Sequence, residues 1–496
     1  MKRLFAILVV GAAAAILLVA QGTALASIKL VQLSSDPFTN ATSQHRTEVE
    51  PDTFASGSTL VSAFQVGRFF GGGASDIGFA TSTNGGTSFT SGFLPGTTPF
   101  AAPGGIYGAV SDASAAFDAK HGAWLISFLG LHPSGGNARQ VDVLVSRSTD
   151  GGLTWSAPVP VDTSGAFNDK NWTVCDNTAS SPFFGNCYTE FDVPSMNDQI
   201  RMSTSTDGGL TWGAAQPTKG HAHGIGGQPL VQPDGTVIVP IVGFAGSKKF
   251  VILSFTSTDG GASWSAPIQV SAVAFRAPAG GLRAGIPLPS AQIDASGKIY
   301  VVWSDCRFEP GCTASDLVLS TSTDGITWSP VTRIPIDPVG SGADHFIPGL
   351  AVDRSTFDGT AHLVLTFYTY PVADCTTSTC QLEVGSSTSA DGGATWTSST
   401  QLAGPMTLTW LPDTSQGFMV ADYLAGSFIS NPAFPAFAVA SAPSSGGSTC
   451  QTATPNCNQA MFTVNGGLSV AHGHPATDQT AAGASQTLTG STLTAQ

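Results

Sequence analysis

The chain has 496 residues, with Lys plus Arg 19 against Asp plus Glu 33 and a formal net charge of −14. Charged residues are scarce while Gly, Pro, Ser and Thr abound, the composition of an all-β chain built from short strands and tight turns. The acidic balance argues against nucleic acid and against anionic membrane surfaces as partners, since both need a basic face.

Read from the start, Lys2 and Arg3 after Met1 make a basic opening, Leu4 to Ala20 is apolar, and Ala24, Leu25 and Ala26 form a small-x-small site. This predicts a secretory signal over residues 1–26, a mature start near Ser27, and a secreted protein with no membrane anchor after cleavage. The next segment, "IKLVQLS", reads as a strand with no partner nearby in sequence.

The octapeptide "STDGGLTW" then occurs twice, at Ser148–Trp155 and Ser205–Trp212. Near-copies begin at Ser82, Ser257, Ser322 and Ser389. In each, an Asp or Asn accepts backbone N–H groups of its own turn. Gly supplies positive φ, and an aromatic residue folds back over the turn. The turn residues are Asn84, Asp150, Asp207, Asp259, Asp324 and Asp391, spaced by 52 to 67 residues on subtraction. One hairpin turn per period of this length is the pattern of a propeller blade.

The strands between the turns follow one order. "TEVEPDTFASGSTLVSAF" opens the first period, "VSDASAAFDAKHGAWLISFL" the second, "NWTVCDNTASSPFFGNCYTEF" the third and "QPLVQPDGTVIVPIV" the fourth. In the fifth, "LPSAQI", "KIYVVW", "DLVLST" and "PVTRIP" are four successive strands. "IPGLAVDRSTFDGTAHLVLTFY" opens the sixth. Three strands without the turn motif follow, in "GFMVADYLAGSF", "AFPAFAVASA" and "QAMFTV", and Ile28–Ser34 supplies their fourth. The prediction is a propeller of seven four-stranded antiparallel blades over residues 27–466, with six blades as the alternative. Closure removes the exposed sheet edge. Residues 467–496, rich in Ala, Thr, Ser and Gly, read as a disordered tail.

Eight cysteines fall into four close pairs: Cys175 with Cys187, Cys306 with Cys312, Cys375 with Cys380, and Cys450 with Cys457. In an exported chain these predict four short-range disulfides. No Cys/His cluster suits a metal, so the expectation is no metal site and no cofactor, with room left for a structural calcium.

The repeated turns resemble the Asp-box, or BNR, repeats of the sialidase superfamily, over nearly the whole mature chain. The resemblance implies a carbohydrate-active propeller. Sialidases hold a substrate carboxylate with three arginines and use a Tyr–Glu nucleophile pair with an Asp acid/base. Arg46 in "HRTEVEP" stands in the sequence place of the family's first arginine. Arg333 in "TRIP" falls on a predicted outer strand and is a decoy.

Propeller topology itself supplies an address. The starts of first strands and the loops after second strands converge on the channel mouth opposite the Asp boxes. Residues there include Arg46, Asp169, Lys170, Arg283, Asp344, His345, Asp422 and Tyr423 before or on first strands, and Arg68, Glu190, Asp305, Arg307 and Tyr370 after second strands. Arg46, Arg283 and Arg307 are read as a clamp for an anionic sugar, with Asp344, His345 and Tyr423 as further substrate contacts. Tyr370 with Glu190 is the expected nucleophile pair, and Asp305 or Asp169 the acid/base. The bland reading pairs Arg307 with Asp305 as a local loop salt bridge. The leading function is a monomeric, secreted glycoside hydrolase of exo-α-sialidase type acting on acidic glycans. A non-catalytic glycan- or protein-binding propeller and a polysaccharide lyase stand as alternatives.

Overall fold

The structure is a computed structural model that describes residues 28–133, 140–245, 249–443, 450 and 457–473. The expected signal segment and the chain beyond residue 473 lie outside the described residues. The fold is all-β, with four single-turn 3-10 segments as its only helices among the described residues.

Antiparallel strands follow one another as local meanders. Gln44–Ser56, Thr59–Arg68, Ala74–Ser82 and Thr90–Phe93 pair in turn. Ala109–Asp118, Ala123–Leu131, Val141–Ser148 and Val159–Asp162 do the same. Sheets starting at Asp169, Gly224, Ser290 and Asp344 repeat the order. The strands Ser290–Ile293, Ile299–Asp305, Asp316–Ser322 and Thr332–Arg333 fall on the four read from the fifth period. Their middle members are β-branched and aromatic and buried on both faces, as strands must be when each sheet is stacked between two others.

The cores lie between consecutive sheets. Val61 and Ala63 pack with Ala113 and Trp124, Leu125 and Val143 with Phe191, and Tyr188 with Val237 and Phe255. Ile238 and Val242 meet Ile299 and Trp303, while Tyr300 and Leu317 meet Leu350 and Leu363. Each first strand lies against the next. Gln44–Ser56 touches Ala109–Asp118, which touches Asp169–Cys175, then Leu230–Val231, Ser290–Ile293, Asp344–Val352 and Ala425–Phe428, which returns to Gln44–Ser56.

The first and last described strands meet in one sheet. Ala425–Phe428 pairs with Ala433–Ala440, that strand with Gln459–Val464, and Gln459–Val464 with the N-terminal Leu30–Gln32. Two expectations need correcting here. Asp422 and Tyr423 precede the first strand of this sheet instead of lying on it. The tail is held past Gly467, because Leu468 and Ala433 exchange backbone hydrogen bonds (2.7 and 2.9 Å) and the Ala471 N–H donates to Thr388 Oγ1 (3.1 Å).

The disulfides are the four expected. Cys175 is bonded to Cys187, Cys306 to Cys312, Cys375 to Cys380 and Cys450 to Cys457. The first ties two paired strands at directly opposed positions, since Cys175 ends Asp169–Cys175 and Cys187 begins Cys187–Val193. Cys306 and Cys312 close the loop after Ile299–Asp305, and Cys375 and Cys380 the loop after Leu363–Tyr370. Cys457 lies just before the strand Gln459–Val464, so its bond to Cys450 staples the connection into that strand.

The repeated turns share one hydrogen-bond pattern. Asp150 Oδ1 accepts the N–H groups of Leu153 (3.1 Å) and Thr154 (3.0 Å), and its Oδ2 accepts the Thr154 hydroxyl (2.6 Å). The Ser148 hydroxyl donates to Asp150 Oδ1 (2.7 Å). Asp207, Asp259 and Asp391 repeat the backbone and hydroxyl contacts. The Thr154 hydroxyl, against a small burial cost and with help from the backbone, holds the Asp150 carboxyl down at about 2. A depressed carboxylate contributes stability that is whole above its unfolded value near pH 4 and lost as pH falls through its folded value. Asp150→Ala is therefore expected to cost about 1 kcal/mol at neutral pH. Urea melts should show that difference from the parent narrowing as pH drops from 4 towards 2.

Candidate functional site

The first strands carry an irregularity in common. Register shifts interrupt their pairing after Val49, Ser111, Asp169 and Phe346. At each, a non-glycine residue takes a left-handed backbone: Glu50 (φ 55), Asp112 (φ 51), Lys170 (φ 47) and Ile347 (φ 50). Such bulges turn a side chain out of its strand's alternation, and left-handed backbone at non-glycine residues costs energy that the surrounding fold must hold. Here three of the four re-aimed side chains are charged and meet one another.

Lys170 Nζ lies 2.9 Å from Asp112 Oδ1, 2.7 Å from Asp422 Oδ2 and 3.3 Å from Glu50 Oε1. Its ammonium also stands 5.1 Å from the centre of the Tyr423 ring. Asp422 Oδ2 takes a second cation, Arg283 Nη2, at 2.6 Å. Two joined lobes open over this cluster, of about 270 and 300 Å3. Asp169, Arg283 and Gln416 line both, Lys170 and Asp422 the first, and Arg68 and Asp112 the second. Arg68 is held against the wall by donating to the Gly73 carbonyl (2.6 Å) and to Met419 Sδ (3.0 Å).

The electrostatics separate the acids. Burial pulls Asp422 upward, but Arg283 and Lys170 outweigh it and hold the carboxyl well below the usual range. Burial, reinforced by Asp112, pushes Asp169 up to about 6 despite Lys170. Burial likewise pushes Glu50 up to about 8. Glu190 is buried, and burial raises its carboxyl well above its ordinary value against the opposing Gly227 N–H. A Cβ on Gly227 would stand 2.6 Å from Glu190 Cδ, so only glycine fits there without a shift.

The fold thus brings together Asp169, Lys170, Arg283, Asp422 and Tyr423 from the sequence reading, and sets others apart. Arg307 forks onto Asp305 (Nε–Oδ1 2.9 Å, Nη2–Oδ2 2.7 Å), and Asp305 also accepts Trp303 Nε1 (3.1 Å). The local pair therefore takes both residues, and Arg307 is not part of a clamp with Arg283. Arg46 is exposed, with its backbone N–H on Asp36 Oδ2, and it lines neither lobe. Tyr370 is buried, packs edge-on against Phe346 and donates to the Ala279 carbonyl (3.3 Å), so it forms no pair with Glu190. Asp344 is occupied by Arg276 (2.9 Å) and the Ser315 N–H (2.8 Å), and His345 packs beside the Ser315 carbonyl. Tyr423 donates to the Ala113 carbonyl (3.3 Å) from behind Lys170. Arg68, placed at this mouth by the topology, lines the second lobe, and Asp112 is the charged wall residue that the sequence reading did not name. Laying the first strands of successive periods over one another would have aligned Asp112 with Glu50 and Lys170.

The sequence profile of the BNR repeat-like domain matches residues 134–347. Further copies of the same turn lie outside that span, at Ser82 and Ser389. A comparison with curated proteins finds no match. Among solved structures the chain is similar to the Hadza microbial sialidase Hz136, at 15% identity over 84% of this chain and 65% of that one, with a TM-score of 0.44. It thus spans just under two thirds of that sialidase. It is similar to a leech intramolecular trans-sialidase at 13% identity, over 70% of this chain and 68% of that one, with a TM-score of 0.45. An ulvan lyase from a polysaccharide lyase family aligns at 11% identity over 88% of this chain and 96% of that one, with a TM-score of 0.49.

Removing the buried ammonium strands three carboxylates that face it. Lys170→Met is expected to lower the unfolding free energy by roughly 3 kcal/mol, the scale for breaking a buried ion pair from one side. Chemical denaturation at neutral pH measures it, and a loss below about 0.5 kcal/mol, typical of surface changes, would contradict the pairing described.

Proposed function

We propose that the chain is a secreted seven-bladed propeller that hydrolyses glycosidic bonds of acidic glycans in the cleft over Lys170. The blade count rests on dividing the strand network at its single-residue bridges, Ala74 to Val110 and Thr47 to Gln459. The circular succession of first strands supports it. Four disulfides favour an oxidising, extracellular location.

The observation that carries the function is the pairing of a proton-holding Asp169 with a cationic wall. With Asp169 and Glu50 protonated, the lobes present Arg68, Lys170 and Arg283 against Asp112 and Asp422, three charges against two, and one positive charge is left for an anionic sugar. Two carboxyl groups whose surroundings push them apart divide acid from base roles. Asp169 gives its proton to the leaving oxygen as the glycosidic bond breaks, and water that adds to the anomeric carbon returns a proton to it, since it opens onto both lobes and keeps its proton to about pH 6. Asp422 stays ionised and orients Arg283 and Lys170 towards the substrate carboxylate. A lyase would need a Tyr or His beside the uronate proton, and neither residue type lines the lobes among the described residues.

The test is turnover of sialosides and uronate-containing oligosaccharides against neutral glycans. An acid that works protonated gives kcat/KM that falls as pH rises through about 6. Asp169→Asn should remove that limb and lower the rate by roughly a hundredfold or more. Arg283→Met should weaken acidic substrates far more than neutral ones. Saturable binding without products would favour the binding-module reading, and an unsaturated uronate product would favour a lyase.

A further inference from the structure

A second polar cluster lies away from the cleft, between the sheet that starts at Ser290 and the one that starts at Asp344. We propose that Asp316, Asp337 and His345 form a binding site for a divalent transition metal of the Zn2+ class. One carboxylate oxygen from each Asp and one ring nitrogen of His345 lie within 4.8 Å of one another. Asp316 starts one strand, Asp337 follows the outer strand Thr332–Arg333 of the same sheet, and His345 is near the start of the next sheet's first strand.

The ion-pair network alone leaves this cluster unsatisfied. Arg333 donates through Nε to Asp316 Oδ1 (2.7 Å), through Nη2 to Asp337 Oδ1 (2.9 Å) and through Nη1 to the Asp337 carbonyl (2.7 Å). The guanidinium reaches no further. Asp316 Oδ2 is buried with no hydrogen-bond partner, on a residue 2% exposed. A buried carboxylate oxygen without a partner is costly, and native folds seldom leave one. The charge is unbalanced in the same direction. Glu309 lies near enough to act on Asp316, so the acids around Arg333 outnumber it.

The surroundings are those of a metal shell. The Nδ1 side of His345 faces the Ser315 carbonyl at 3.3 Å, the outer contact that ligating imidazoles commonly make, which leaves Nε2 to coordinate. Asp337 is further fixed by the Ser341 hydroxyl, and Glu309 by the Gly340 N–H (3.0 Å). Arg333 becomes the outer-shell group that orients both carboxylates. A nitrogen ligand beside two carboxylates selects a transition metal over Ca2+, which takes oxygen ligands. Such an ion would fasten two neighbouring sheets at their rim, and it does not depend on the hydrolase reading.

The test uses the tag-free full chain, stripped with EDTA and then given Zn2+ or Ca2+. One equivalent of Zn2+ should survive gel filtration, by elemental analysis, and the melting temperature should rise by a few degrees, since binding the folded form alone stabilises it. Asp316→Asn and His345→Gln should each weaken Zn2+ at least about tenfold. Folded parent chain that retains no Zn2+, prefers Ca2+, or keeps full affinity in both variants would overturn the site. Should either variant fail to fold, the visible spectrum of Co2+ on the parent decides. Bands of a low-symmetry nitrogen–oxygen site support the proposal, and the spectrum of free aqueous Co2+ refutes it.

Discussion

The ammonium of Lys170 is the constraint on which the cleft depends. Its three carboxylate partners come from residues 50, 112 and 422, so no local segment can satisfy it. An ammonium taken out of water without its partners is among the least tolerable groups in a protein interior. The left-handed bulges at Glu50, Asp112 and Lys170 turn these side chains towards one another, and the contacts formed there offset the backbone cost. Arg283 enters through Asp422, and Asp169 through its place beside Lys170 in the chain. The cleft is therefore a by-product of neutralising one cation.

Much of the architecture was legible because the repeat is local. The turn around Asp150 and the strands around "KIYVVW" need only neighbours in sequence, and the observed strand Ile299–Asp305 falls on the predicted one. The cysteine pairs were legible for the same reason: Cys187, Cys312, Cys380 and Cys457 each lie within one loop of their partners. The candidate site was legible where topology alone dictates convergence, as for Asp169 and Arg283. It was harder to read where a bulge redirects a side chain, because "VSDAS" alone does not mark Asp112 as leaving the alternation and only its alignment with Glu50 and Lys170 does. Topology also placed Tyr370 at the channel mouth, and it lies two residues from Tyr368. Both are buried and bonded to backbone carbonyls, since each sheet is covered on its two faces.

Motif identity was a poorer guide than surroundings. Arg333 sits in a tetrapeptide that resembles a sialidase motif, yet it bonds Asp316 and Asp337 at the rim of the fold. Arg307 stands at a position where a clamp was expected and is held by an acid two residues away. Arg68 has no motif and lines the cleft. A guanidinium goes to the acceptors that the fold sets within reach, and those are fixed by tertiary structure.

The N-terminal strand Leu30–Gln32 pairs with Gln459–Val464. Its partner is thus made more than four hundred residues after it. Until then one sheet keeps an open edge, and the chain remains in the aggregation-exposed condition typical of long-range β pairing.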